Sequence, residues 1–412
     1  MADWIHNRFT GLLKNFTEIP LLPGDPDVAI AAAEIPAWRS AETPFYCSGA
    51  GWTQAEANAA CCGEGIERWL LPPLSQDGSQ VASRARWSLD EDTVPTGQWV
   101  LFAADQYALP GFPFERLEET SECRWVCCRD VRRGDPVWVP EEFVYLQPRR
   151  GDRQRFTPGL STGLSCGTAD QPVVLRGLQE VLERDALVGA WWEEYPLEEY
   201  DVSEVAGLVG RERWRRLQRP NLTYRFQRIA SPFTDHVTLV SVAGETREGW
   251  TIAVGSACRE TLAASWTKSL LEAVQGRHCV RRLYREWVER GREPPDDPHE
   301  FLEHAVFYSQ RPELLPNTVL GRQRDSRLNR KYVASREGLE ALQERLGPRQ
   351  VLVRSLTPPG LMGVAEPWRV VRVIVPGLQP LHGDHRLPFL GGPLWNARPI
   401  TDWREMPPHP FA

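Results

Sequence analysis

Two short strings hold the residue types that could do chemistry: Glu64-Gly-Ile-Glu67-Arg68 and Glu180-Val-Leu-Glu183-Arg184. In each, two carboxylates stand three residues apart, so on a helix they project from one face, with an arginine directly after them. A single such string on a surface helix reads as a solvated face with an ion pair. Two copies change the reading, because each follows a small-residue turn: Cys47-Ser48-Gly49-Ala50-Gly51 before the first, Ser161-Thr162-Gly163-Leu164-Ser165-Cys166-Gly167 before the second. If the halves pack about a pseudo-twofold axis, four carboxylates converge. Such carboxylates repel one another unless cations sit between them, and oxygen-only ligands suit Mg²⁺. Magnesium bound through a few carboxylates usually bridges substrate phosphates, which makes a nucleotide the expected guest. The glycine-rich turns could bring backbone N–H groups toward those phosphates. No G-x-x-x-x-G-K-[ST] string occurs, so the expected site is not a P-loop.

The elements that must position these groups are marked by hydrophobic periodicity, which runs helically over 53–70, 170–191 and 260–290. Thr53 with Glu56 makes a capping box, and Ala55, Ala59, Cys62, Ile66 and Trp69 follow as one apolar stripe. Asp170 is the expected N-cap of the second helix, with Val174, Leu178, Val181 and Leu182 as its stripe. Val137–Val139, Phe143–Leu146, Val237–Val242, Trp250–Val254, Val351–Val353 and Val370–Val375 read as strands. Pro- and Gly-rich stretches such as Pro20–Pro26, Leu71–Pro73 and Pro110–Pro113 read as loops. Strands mixed with helices through irregular connections predict an α/β, or layered α+β, fold: one compact unit with a mobile tail.

Composition narrows the class. With 412 residues, 42% hydrophobic and 10% aromatic, the chain buries a sizeable core and is not disordered. A net charge of −7 argues against general nucleic-acid affinity, and the basic runs Arg211–Arg219 and Arg322–Lys331 read as solvated helix faces. Apolar runs such as Val28–Ala33 are too short to span a bilayer, and Met1–Thr10 has no secretory pattern, so the reading is a soluble cytoplasmic protein. Nine scattered cysteines form no C-x-x-C pair and read as reduced, buried thiols. His382 and His385 stand isolated from other histidines in sequence.

Taken together, Ser48–Trp69 (SGAGWTQAEANAACCGEGIERW), Ser161–Ala186 (STGLSCGTADQPVVLRGLQEVLERDA), Ser269–Arg277 (SLLEAVQGR), Val370–Leu381 (VVRVIVPGLQPL) and the terminal Pro408-His-Pro-Phe-Ala412 make a specific pattern. The chain resembles the YcaO family, and more closely its azoline-forming cyclodehydratase branch, which modifies ribosomally made peptides. The resemblance implies a fold of two pseudo-symmetric halves around an acidic cleft that binds ATP with Mg²⁺. It divides the chain into an N-terminal segment (1–44), an ATP-binding catalytic domain (45–395) and a proline-rich tail (396–412) reaching the active site. It marks Glu64, Glu67, Glu180 and Glu183 as the metal-binding set, and Ser48, Gly49 and Gly51 with Ser165 and Thr168 as nucleotide-contacting turns. Arg184 and Arg277 are the arginines it implies near phosphate, and the Ala412 carboxylate is the group the tail would deliver.

The same resemblance implies the reaction and the partners. A Cys, Ser or Thr side chain of a ribosomal precursor peptide attacks the preceding amide carbonyl. ATP phosphorylates the oxygen, and loss of phosphate leaves a thiazoline or oxazoline. Related enzymes that make thioamides or macroamidines, and a non-catalytic scaffold in a peptide-maturation complex, are the alternatives. Leader-peptide capture is expected from a separate protein resembling the ubiquitin-activating enzymes, and a homodimer is expected by analogy. Ala50, Ala60, Thr168 and Pro172 depart from the lysine, serine, asparagine and glutamate common in the family, which implies a shifted magnesium arrangement with ATP binding retained.

Overall fold

The computed structural model describes residues 3–7, 11–36, 45–70, 80–83, 93–146, 155–291, 296–322, 333–358, 368–396 and 398–411. Ala412, Leu71–Pro73 and most of Arg322–Lys331 lie outside them. In chain order the strands are β1 (Lys14–Glu18), β2 (Ala29–Ile35), β3 (Phe45–Gly51), β4 (Gln80–Ser83), β5 (Glu122–Asp130), β6 (Pro136–Pro140) and β7 (Leu164–Thr168). They continue as β8 (Leu197–Tyr200), β9 (Leu222–Ile229), β10 (Val237–Thr246), β11 (Gly249–Cys258), β12 (Leu352–Ser355) and β13 (Trp368–Ile374). The helices used below are α1 (Gln54–Trp69), α2 (Val173–Trp191), α3 (Val202–Val209), α4 (Arg211–Leu217), α5 (Leu262–Glu289), α6 (Phe301–Gln310) and α7 (Leu339–Leu346).

Three sheets form among the described residues, in the orders β1-β2-β3, β11-β10-β9-β8 and β4-β5-β12-β13-β7, with β6 paired to β5. All the pairings between these strands are antiparallel. The N-terminal segment is not a separate layer, because β2 pairs with β3 without a break from Ala29↔Gly51 to Ile35↔Phe45. The sheet of β8–β11 is covered on both faces, which explains the unbroken buried run at the start of β10. Val240 and Val242 pack with Trp266, Leu270 and Val274 of α5, whereas Leu239 and Ile252 pack with Leu187 of α2 and Phe307 of α6.

Helix α1 keeps its expected cap, with the Thr53 hydroxyl accepting from Glu56 N–H and Glu56 reaching back to Thr53 N–H. Its buried face differs from the expected stripe: Ala57, Cys61, Cys62, Gly65 and Ile66 are buried, while Ala55 and Ala59 are exposed. The reason is the crossing of β3, where a Cβ on Gly49 would lie 2.3 Å from Cys61 N and 2.4 Å from Ala57 O. Only small residues fit that contact.

Other expectations are corrected. Asp170 is not an N-cap: α2 starts after Pro172, and Asp170 instead accepts from the Thr168 hydroxyl at 2.6 Å. Phe143–Leu146 is not a strand, because the N–H groups of Val144 and Tyr145 both bond Glu141 O in a 3₁₀ turn that follows Pro140. The tail is docked rather than mobile, with Pro408–Phe411 buried. His382 and His385, isolated in sequence, pack in space with His304 and His409. The cysteines are free and mostly buried, and α4 turns Trp214 and Leu217 inward while Arg211, Arg213 and Arg215 stay exposed. No described helix is long and apolar enough to cross a membrane.

Candidate nucleotide site

Helices α1 and α2 bring the four predicted glutamates into one electrostatic cluster. Glu67 feels the charges of Glu180 and Glu64, and Glu180 feels that of Glu183. Each carboxylate is held by an identifiable group. Ser48 N–H of β3 donates to Glu64 Oε2 at 2.9 Å, and Cys166 N–H of β7 donates to Glu67 Oε1 at 2.5 Å. Ser256 Oγ and Cys258 N–H of β11 donate to the two oxygens of Glu183 at 2.6 and 3.1 Å. Glu180 faces Arg184 at 3.9 Å, and Glu64 faces Arg68 at 3.6 Å. One strand from each sheet thus supplies a donor to the cluster.

The electrostatics favour bound cations. Burial pushes the Glu67 carboxyl up to about 8, helped by Glu180 and Glu64. Burial likewise pushes Glu180 up to about 7, against the pull of Arg184, and Glu183 also rises chiefly through burial. Such groups lose their protons readily only when positive charge arrives. Burial works against the charge on Arg184, but Glu183, Glu180 and Glu272 outweigh it and hold the guanidinium more firmly protonated.

Several members of the site were not read from the sequence. Glu272 of α5 acts on both Glu183 and Arg184, and pairs with Lys268 at 3.1 Å. Gln275, one turn on, donates to the Ser48 hydroxyl at 2.7 Å. A signal for both was present. Thr53 caps α1, with Glu64 and Glu67 eleven and fourteen positions later. Thr261 caps α5, with Glu272 and Gln275 at the same two distances. The preceding strands match as well, since a Cβ on Gly255 of β11 would meet Ala273 N at 2.3 Å, as Gly49 meets α1. Arg372 of β13 is the other addition. It is buried, burial lowers it to about 10 against the opposing charge of Glu180, and it donates to Leu160 O at 2.6 Å.

The remaining predicted residues are placed as follows. Gly49 and Gly51 both turn the side that would bear a Cβ onto α1, so packing accounts for glycine there. Ser165 is buried opposite Val371, and Thr168 N–H donates to Gln171 at 3.2 Å. Arg277 stands apart from the cluster: it is buried, and its Nη1 donates to Asp25 Oδ1 at 2.8 Å, as does that of Arg281. In this structure Arg277, expected near phosphate, is engaged by Asp25 of the N-terminal segment. Ala412 lies outside the described residues. Among the described residues, no three His, Cys, Asp or Glu side chains are placed to hold a metal among themselves. A carboxylate set of this kind fits magnesium that draws its other ligands from phosphate and water.

A model of the family described as YcaO cyclodehydratase, ATP- and Mg²⁺-binding, matches residues 48–379. Among solved structures, YcaO from Methanopyrus kandleri bound with AMPPCP and Mg²⁺ is similar at 20% identity and TM-score 0.54, over 89% of this chain and 86% of that one. A heterocyclase in complex with substrate and cofactor is similar at 16% identity and TM-score 0.68, over 98% of this chain but 54% of that longer one. The E. coli microcin synthetase McbBCD complex is similar at 16% identity and TM-score 0.56, over 90% of each chain. At such identities these likenesses concern the fold. No curated protein matches the chain.

Proposed function

From the premise that the chain belongs to the YcaO cyclodehydratase family, and is therefore an ATP- and Mg²⁺-dependent enzyme, we propose that it forms thiazoline or oxazoline rings in a ribosomal precursor peptide. A Cys, Ser or Thr side chain of that peptide would close on the preceding backbone carbonyl, with net loss of water. The observation that carries this reading is the carboxylate cluster of α1, α2 and α5, closed by N–H or hydroxyl donors from β3, β7 and β11. Glu64, Glu67, Glu180 and Glu183 would hold the magnesium, with Glu272 as a fifth carboxylate beside them. Bound Mg²⁺-ATP supplies the phosphoryl group that turns an amide oxygen into a leaving group.

The protein's own part is positioning and charge. Arg184, held protonated by three carboxylates, balances negative charge that builds up during the reaction. Ser48 of β3 and Ser165 and Thr168 of β7 present polar groups from the strands, not turns as the sequence suggested, that precede α1 and α2. The tail favours ring formation over thioamide or macroamidine chemistry, because it is docked on Trp191 at the end of the helix that carries Glu180 and Glu183. From there we infer that it reaches the substrate. Peptide capture is assigned to a partner protein, a reading supported by the likeness to a subunit of a microcin synthetase complex.

The test is mass spectrometry of a Cys/Ser/Thr-rich precursor peptide after incubation with the protein, its partner, ATP and Mg²⁺. Loss of one water per ring is expected, and it should vanish in Glu180→Gln. Deleting Pro408–Ala412 should cut ring formation by ~100-fold, on the scale of a positioned acid–base group, while leaving ATP binding intact. An unmodified peptide with normal ATP turnover would contradict the reading.

A further inference from the structure

The last residues are gripped by side chains rather than by a sheet. Proline at 407, 408 and 410 removes three of the N–H groups through which a strand pairs, and leaves the carbonyls. Three successive carbonyls each accept from a different side chain. Pro407 O takes Trp191 Nε1–H at 2.8 Å, Pro408 O takes the Tyr308 hydroxyl at 2.6 Å, and His409 O takes His304 Nδ1–H at 2.6 Å. His304 and Tyr308 stand one turn apart on α6, and Trp191 closes α2, eight residues after Glu183.

Four imidazoles surround this grip, all of them buried. His304 and His409 stack with centroids 3.9 Å apart and planes within 6°, and the His382 ring meets His409 nearly edge-on at 4.6 Å. His409 Nε2–H donates to His382 O at 2.8 Å, and His385 lies 6.1 Å from His382. Among the described residues, neither ring nitrogen of His382 has a hydrogen-bond partner, while the Gly383 and Met406 backbones act on His304 and His385. Among the described residues, the charged and titratable groups acting around the pocket include Asp297 and His299 before α6, Glu303 on α6, and Asp384 with Arg386 in the loop of His385. Asp384 is already engaged by Arg386.

We propose that His304, with Tyr308 and Trp191, is a positioning residue that holds the C-terminal tail against α2, and that the four-histidine pocket releases the tail when it takes up protons. The catalytic consequence rests on the proposed function; the docking does not. His304 grips a carbonyl through Nδ1–H and stacks flat on His409, so protonation of both would place two like charges face to face in a buried pocket. Burial lowers His304 to about 4 and lowers His382, His385 and His409 as well, the neighbouring imidazoles adding to it at His382 and His409. The docked state therefore binds fewer protons than the released one, in which His409 leaves with the tail and its ring returns to about 6.5. Docking is at full strength above that value and weakens as pH falls toward 4. One ring contributes up to about tenfold per pH unit, and further rings add to it.

The experiment is carboxypeptidase trimming of the full-length protein, followed by intact mass and normalised to a free peptide of sequence 406–412. At about pH 8 the tail should resist, and at about pH 5 it should be trimmed at least tenfold faster. His304→Phe removes the donor and should give fast trimming at both values, with Mg²⁺-ATP binding intact as evidence of folding. His304→Asn keeps a donor near Nδ1 without titrating, so it should protect at pH 8 and move the acid release lower. The acid limb of ring formation should move with it, at unchanged KM for ATP. Equal trimming of the unsubstituted protein at both values would overturn the proposal, as would full protection in His304→Phe. Tightly bound zinc whose chelation frees the tail at any pH would overturn it too, since the pocket would then be a metal site. Normal pH-dependent trimming without ring formation would uphold the latch and count against the proposed function instead.

Discussion

Glu67 is a residue on which three unfavourable influences add: burial, Glu180 and Glu64. Its carboxyl, raised to about 8, holds a proton near neutrality that the unfolded chain releases above about 4.5. The folded state then binds more protons than the unfolded one. This contribution to stability is complete below 4.5 and declines as pH rises through about 8, and Glu180 adds the same trend up to about 7. Thermal melts of the nucleotide-free protein should show Glu67→Gln flattening the decline between about pH 5.5 and 8.5 relative to the parent, and Mg²⁺-ATP doing the same. A slope unchanged by the substitution would place Glu67 in solvent. For activity, Glu67→Gln and Glu180→Gln should each lower turnover by ~100-fold or more while the melt remains cooperative, because a charge is lost and no cavity forms. Glu272→Gln should weaken Mg²⁺-ATP binding in a titration, although the glutamate lies in neither E-x-x-E-R string.

At the scale of elements, the site depends on two strands crossing two helices at glycine. Gly49→Ala should destabilise the fold by about 2 kcal/mol or more in urea unfolding, since its Cβ would press on the backbone of α1 with no flexible side chain to yield. The sequence made α1 and α2 and their carboxylates legible through short-range patterns: a cap for α1 and helical spacing for both. It misplaced the apolar stripe of α1 because Ala57 and Cys61 are buried by the approach of β3, a contact invisible to periodicity. Glu272 and Gln275 escape the same pattern because α5 carries glutamine where α1 carries its second glutamate, so no E-x-x-E-R string marks them. Phe143–Leu146 has strand composition, yet Glu141 O captures the local N–H groups first. Long-range meetings, such as Arg277 with Asp25 and His304 with His409, leave no local trace at all.

At the scale of the whole molecule, the N-terminal segment and α5 are bound by a charge cluster that closes only late. Asp25 is buried, which raises its carboxyl, but the Leu22 N–H and Arg277 outweigh burial and hold it below its ordinary value. Arg277 lies 252 residues further along the chain, and Arg281 lies 256. On the ribosome, at roughly 5–20 residues per second, Asp25 therefore waits on the order of 10–50 s for its counter-ions to be made. Through that interval β2 and β3, with their apolar faces, have no partner in α5. A fragment ending before residue 262 should accordingly show no cooperative melt, whereas adding back 262–291 in the same chain should restore burial of Asp25. Until α5 is made, the apolar faces and open edges of the early strands are the part of the nascent chain most exposed to wrong pairing.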